Sequence, residues 1–173
     1  MIMTTVDLSL PTGFSNPEIA LLAAALNDGT REVREELGLV TPEELAFAPY
    51  PGGHNASAVL LHHAQVEALW IQCDLFRESD VEAKRRFPEF TGDWHKSGWP
   101  EVGPMTLKEI YRRSDEIREV TLTHLATLED SQLLTQPDGQ FADTARWVVN
   151  HLIGHESYHY GQAVLLVEMA RAM

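Results

Sequence analysis

The stretch that decides the fold is His151-Leu152-Ile153-Gly154-His155-Glu156-Ser157-Tyr158-His159-Tyr160-Gly161-Gln162. It lies in a proline-free, largely apolar segment from Thr144 to Met173, a composition that suits one long helix. At about 100° per residue, His151, His155 and His159 each turn about 40° from the last and form one stripe. Imidazoles at i and i+4 sit about 5–6 Å apart at Cβ. Both can then reach one cation at about 2.0–2.1 Å per metal–nitrogen bond. A metal site is the sharp expectation; packed or solvated histidines are the plain one.

Working outward, the chain reads as three more long helices. Ser15-Asn16-Pro17-Glu18 combines a capping side chain, a first-turn proline and an early acid, and Gly38 stops that helix after Leu37. Thr41-Pro42-Glu43-Glu44 is a capping box for a turn or two, and Pro49-Tyr50-Pro51-Gly52-Gly53 must be loop. Asn55 or Ser57 caps a second long helix to about Arg77, with Val59, His62, Val66, Leu69, Cys73 and Phe76 as its seam. Residues 78–104 form a long crossover carrying Trp94, His95 and Trp99, with some helix around Val81–Arg86. Thr106-Leu107-Lys108-Glu109 starts a third long helix that runs to about Glu129. Asp138-Gly139 marks a turn, and Asp143 or Thr144 caps the last helix. No period-two alternation supports a strand. The expected architecture is a single all-α domain over residues 1–173, a four-helix bundle with a long crossover loop.

Composition narrows the function classes. The chain has 173 residues, 44% hydrophobic and 23% charged, as in ordinary globular domains. Its formal charge of −13 repels phosphate backbones and anionic membranes, so no nucleic acid and no membrane partner is expected. A single cysteine, Cys73, and the lack of a signal-like start point to the cytoplasm. The last helix is apolar nearly all round, which predicts further cover and hence a homodimer.

His62 lies on the buried seam of helix two and joins His155 and His159 as a third nitrogen donor, leaving a position open as in catalytic zinc sites. The neighbouring His63 permits a register shifted by one residue. Off the main seam, its expected partner is Glu67 in a surface pair four residues on. His151 is expected behind the ligands, and His124 in the core or at its rim. Gln162 returns to the histidine face and can hydrogen-bond a ligand or a liganding histidine. Gly161 costs about 1 kcal/mol in a helix, and close helix packing is its expected compensation. His155-Glu156-Ser157-Tyr158-His159 also spells the H-E-x-x-H of metalloproteases. The expected third ligand downstream is missing, since Glu168 points to the opposite side. Glu156 is expected at the surface or beside a polar neighbour.

The residues Pro49-x-Pro-Gly-Gly-His-Asn-Ala-Ser, Leu60-Leu61-His62 with Glu67, and His151-x-x-x-His155-Glu156-x-x-His159-x-Gly161-Gln162 together resemble the DinB-like superfamily of metal-dependent bacterial enzymes. The resemblance spans most of the chain. It implies a four-helix bundle and a divalent metal, zinc or nickel first, then iron or manganese, on His62, His155 and His159. Tyr160 stands where the superfamily commonly has arginine, which puts an anion contact there in doubt. The resemblance further implies a small-molecule substrate and a low-molecular-weight thiol as cosubstrate; Gln162, from its place on the histidine face, is the expected cofactor-side residue. The expected function is therefore a metal-dependent enzyme that activates a thiol for transfer to a small electrophile. The alternatives are a metal-dependent hydrolase and a non-catalytic metal-binding or stress-related bundle.

Overall fold

The structure, a computed structural model, describes residues 8–88, 99, 102–134 and 143–173. Helix α1 spans Pro17–Leu37, capped by Asn16, whose Oδ1 accepts from the amides of Glu18 and Ile19 at 2.8 and 3.0 Å. Gly38 ends it at φ 57°, a left-handed conformation that glycine adopts without side-chain strain. The short α2, Pro42–Ala46, carries the expected capping box between Thr41 and Glu44. Helix α3 starts at Ala56 under an Asn55 cap, runs to Glu67, and continues as wider π-helical turns over Ala68–Leu75. Arg77 then leaves the helix at φ 61°. Helix α4, Asp80–Arg86, lies in the crossover, capped by Ser79. Helix α5, Leu107–Ala126, is capped by Thr106 and ends three residues before the expected Glu129. Helix α6, Ala145–Arg171, is capped by Thr144; its 27 residues span about 40 Å. Trp94, His95 and the Asp138-Gly139 turn fall outside the described residues.

Cross-helix pairs give the topology. Glu18, Thr30 and the Leu39 carbonyl meet Arg146, Glu156 and Arg171 in rising order, so α1 and α6 run parallel. Trp70 meets Trp147 and His62 meets His159, so α3 runs against α6. Glu67 meets Arg118 and Phe76 meets His124, so α3 and α5 run parallel. The bundle is up-down-down-up. That order explains the long crossover: two parallel helices can be joined only by a chain that travels back along the bundle.

Helix α3 departs from the expected stripe. All 12 residues from Ala56 to Glu67 are buried, the flanking His63 and Glu67 included. The helix is central, covered by α2, α5 and α6. A helix buried on every side carries no amphipathic signal, so the seam read from sequence captured only part of its contacts.

Candidate metal centre

Three histidines from α3 and α6 converge near the middle of the bundle. One ring nitrogen from each of His62, His155 and His159 can be chosen so that all lie within 4.8 Å of one another. Ring centroids are 4.3 Å apart for His155 and His159, and 4.9 and 5.4 Å from His62 to His159 and His155. Antiparallel α3 and α6 bring this about: position 62 faces positions 155 and 159 across the same level. The ring planes differ, by 49° and 82° from that of His62, so the imidazoles converge instead of stacking.

The electrostatics favour neutral donors. Burial, reinforced by His63, His159, His62 and His151, pushes His155 down to about 2. Burial also lowers His159, against the opposing pull of Gln162. Neutral imidazole is the form that binds metal. Nδ1 of His155 is buried with no hydrogen-bond partner among the described residues, and an unmet buried polar atom costs about 1–3 kcal/mol. The cluster thus fits a divalent cation that favours imidazole ligands.

Gln162 sits directly behind this cluster. With its Oε1 as acceptor, it receives the Nδ1–H of His159 at 2.8 Å, which leaves the His159 Nε2 lone pair free. His62 stacks flat on Trp99, centroids 4.0 Å apart, and His54 stacks on the same indole at 4.0 Å. His151 lies one turn from His155, with ring centroids 5.9 Å apart. Its ring stacks on Trp147 at 4.7 Å and leans on Trp70 at 5.0 Å, closing the side of the bundle next to His155. His124 is at the rim, hydrogen-bonded to Glu78 at 2.9 Å.

One expectation about acidic residues is overturned, and of the two places expected for Glu156 the structure shows the polar neighbours and not the surface. Glu67 and His63 make no surface pair: both are 2% exposed, and Glu67 is bound by Arg118. Glu156 is 1% exposed and belongs to the same cluster. Arg118 Nε and Nη2 donate to the two Glu67 oxygens at 2.9 Å each, and Nη2 also donates to Glu156 Oε2 at 3.2 Å. Its Nη1 donates to Asn27 Oδ1 and Thr30 Oγ1 at 3.1 Å, and the Thr30 hydroxyl donates to Glu156. His63 Nε2 lies 3.4 Å from Glu156 Oε1, and the His63 ring stacks on Tyr160. Burial lowers the His63 pKa despite the nearby acids. Arg118 ties all four long helices together, and sequence reasoning missed it. The only sequence signal was its place one step after the apolar, buried Ile117, too weak to separate it from the exposed arginines of α5.

Neighbouring residues on one helix diverge by about 100°. His62 therefore turns to the histidine cluster and His63 to Arg118; His155 and Glu156 divide in the same way. With Glu156 engaged, it is not placed as the general base that H-E-x-x-H implies in proteases. Gly161 is also not where expected. It is exposed, and a Cβ built on it meets nothing within 4 Å, so no close packing among the described residues accounts for it. Cys73 is buried, and burial raises its thiol to about 12, which makes it inert.

Comparison with known proteins adds to this geometry. A crystal structure titled as the conserved protein of a locus from Enterococcus faecalis superposes with a TM-score of 0.71 at 18% identity, covering 88% of this chain and 96% of that one. It shows that the two chains share a fold. No protein of curated function matches the chain. The family model for mycothiol-S-transferase matches residues 21–172. Nearly the whole bundle, with all three converging histidines, lies inside that match, and the chain belongs to the mycothiol-S-transferase family of the DinB-like superfamily.

Proposed function

We propose that the protein is a metal-dependent transferase that joins a low-molecular-weight thiol to a small electrophile. His62, His155 and His159 would hold the divalent metal, zinc or nickel first. The observation that carries this reading is the cluster of three imidazoles with donor nitrogens within 4.8 Å of one another. A cation held by neutral ligands keeps its full charge and, when bound, favours thiolate over thiol at neutral pH. The chain's own residues do the rest. Gln162 orients His159, Trp99 holds the plane of His62, and the Arg118 cluster keeps Glu156 from acting as a base. Activating a thiol needs less help from a base than activating water, so this arrangement favours transfer over hydrolysis. Mycothiol, the thiol in the family's name, is the first cosubstrate to try.

The test is a screen of metal-loaded protein with mycothiol, bacillithiol, glutathione and coenzyme A against chromogenic electrophiles. Ester and amide substrates run in parallel, with His155→Ala as blank. Metal-dependent ester cleavage without thiol consumption would overturn the proposal. A reducing cytoplasm suits a thiol-using enzyme with one free cysteine. We further infer a homodimer, because Leu21 on α1 and Trp147 on α6 leave large apolar side chains 50% and 43% exposed. A monomeric mass by light scattering at micromolar concentration would refute it.

A further inference from the structure

Beside the histidine cluster, between the loop after α2 and the C-terminal half of α6, runs an open trough of about 660 Å³. His159 and Gln162 are part of its lining, so it reaches the proposed metal centre. Its walls include Tyr50, Trp99, Tyr158, Leu165 and Met169. Among the described residues no Asp, Glu, Lys or Arg lines it, on a chain of formal charge −13. Tyr50, Tyr158, Leu165 and Met169 are 64%, 65%, 60% and 40% exposed, a cluster of large apolar side chains that water alone does not explain.

The other cavity near the cluster contrasts with it. That cavity, about 470 Å³, adjoins His63 and is lined by Arg31, Arg34, Glu35, Glu67, Asp115 and Arg118 among others. Its charges are largely spent on one another: Arg31 binds Glu35, Arg34 binds Asp115 and Arg118 binds Glu67. It contains none of the three converging histidines.

We propose that the trough is the electrophile site and that it selects neutral, flat, apolar molecules, aromatic ones above all. This rests on the transferase reading and adds the substrate class. A charged substrate would lose part of its water on entering the trough and find no countercharge among the described lining residues, which disfavours it. An aromatic ring instead gains the faces of Trp99 and Tyr158 and the flanks of Leu165 and Met169. In the transfer step, the thiolate sulfur supplies the electron pair of the new carbon–sulfur bond. The leaving group departs with the pair of the bond that breaks, and the thiol proton goes to solvent.

The experiment separates binding from chemistry. Calorimetry on the metal-loaded full chain, without thiol, measures 2,4-dinitrotoluene, a neutral and unreactive probe, and 2,4-dinitrobenzoate, its charged counterpart. The neutral probe should bind at least about tenfold tighter than the benzoate. Leu165→Glu and Met169→Glu, both exposed and so compatible with folding, should each weaken it by about tenfold or more with metal content unchanged. Equal binding of the two probes, or wild-type binding by both variants, overturns the inference. If either substitution instead converts a dimer to a monomer, a second copy of the chain occupies the trough and the inference also fails. Probe binding as expected, with no thiol transfer to 1-chloro-2,4-dinitrobenzene, would sink the transferase reading and leave the trough standing as a binding site selective for neutral, flat, apolar molecules.

Discussion

Replacing Arg118 with methionine should be the most damaging single change outside the histidines. The guanidinium is the only cation within hydrogen-bond reach of Glu67 and Glu156 among the described contacts, and both side chains are 2% exposed. Removing one partner of a buried ion pair costs about 3–5 kcal/mol, because the remaining charge is left without compensation. That is roughly two to three and a half decades in the folding equilibrium, a large part of the about 5–15 kcal/mol of a typical domain. Methionine fills similar volume, so the loss is electrostatic more than steric. Urea unfolding of metal-free protein measures it. The triple variant Arg118→Met, Glu67→Gln, Glu156→Gln should recover more than half, since no buried charge remains. The pH dependence has a definite sign. Burial alone would raise the Glu67 carboxyl, but Arg118 outweighs it and holds the group below 4.5. Its contribution is thus complete above pH 4.5 and lost as pH falls through the folded value. In the variant the buried carboxyl is raised, so protonation relieves it. The gap between wild type and Arg118→Met should be widest at pH values above the variant's raised carboxyl, begin to narrow as pH falls through that raised value, and narrow further below 4.5 as the wild-type pair is lost. A loss under about 1 kcal/mol with an unchanged urea slope would refute the reasoning, being within reach of an exposed pair.

Further outcomes follow from the site. His62→Ala, His155→Ala and His159→Ala should each weaken metal binding more than the about 10–100-fold typical of outer partners, whereas His63→Ala should leave the metal in place; elemental analysis after dialysis decides, and the reverse pattern for His62 and His63 would shift the register. Gln162→Leu removes the acceptor behind His159 and should cost about 10–100-fold in affinity by chelator competition. Gly161→Ala should stabilise the protein by up to about 1 kcal/mol, and a fall in melting temperature would reveal a contact beyond the described residues. Metal-free protein should lose stability as pH drops below the ordinary histidine value of 6.5, because burial and its neighbours hold His155 far below that value and only the unfolded chain takes up the proton. His155→Ala should flatten that slope in thermal melts.

What the sequence made legible was local. Asn16, Thr41, Asn55, Thr106 and Thr144 each cap the helix their spacing announced. A cap acts within one turn, so its signal is complete in a few residues. The pairing of His155 with His159 is equally local, and Gln162 on His159 is an i,i+3 contact. The crossing of α3 with α6 is not local, but a histidine on an apolar seam was enough to suggest it. The Arg118 cluster was out of reach because its members come from four helices, and each alone has an ordinary surface explanation. Periodicity also failed where burial is complete: α3 has no polar face to mark, so Glu67 was assigned to solvent.

That failure contains the argument that separates His62 from His63 more firmly than the seam does. Glu67 is four residues from His63 and lies on its side of α3, so the two share surroundings. A buried carboxylate needs a cation or a set of donors, and Arg118 supplies both. On α6, Glu156 turns to the same guanidinium, and His155 beside it turns away. Rotating α3 by one residue to bring His63 to the histidine cluster would swing Glu67 off Arg118 and leave its carboxylate buried without that cation. The charge cluster therefore sets the rotation of α3 and α6 about their own axes. The convergence of His62, His155 and His159 depends on that rotation, although none of the three touches Arg118 in any described hydrogen bond.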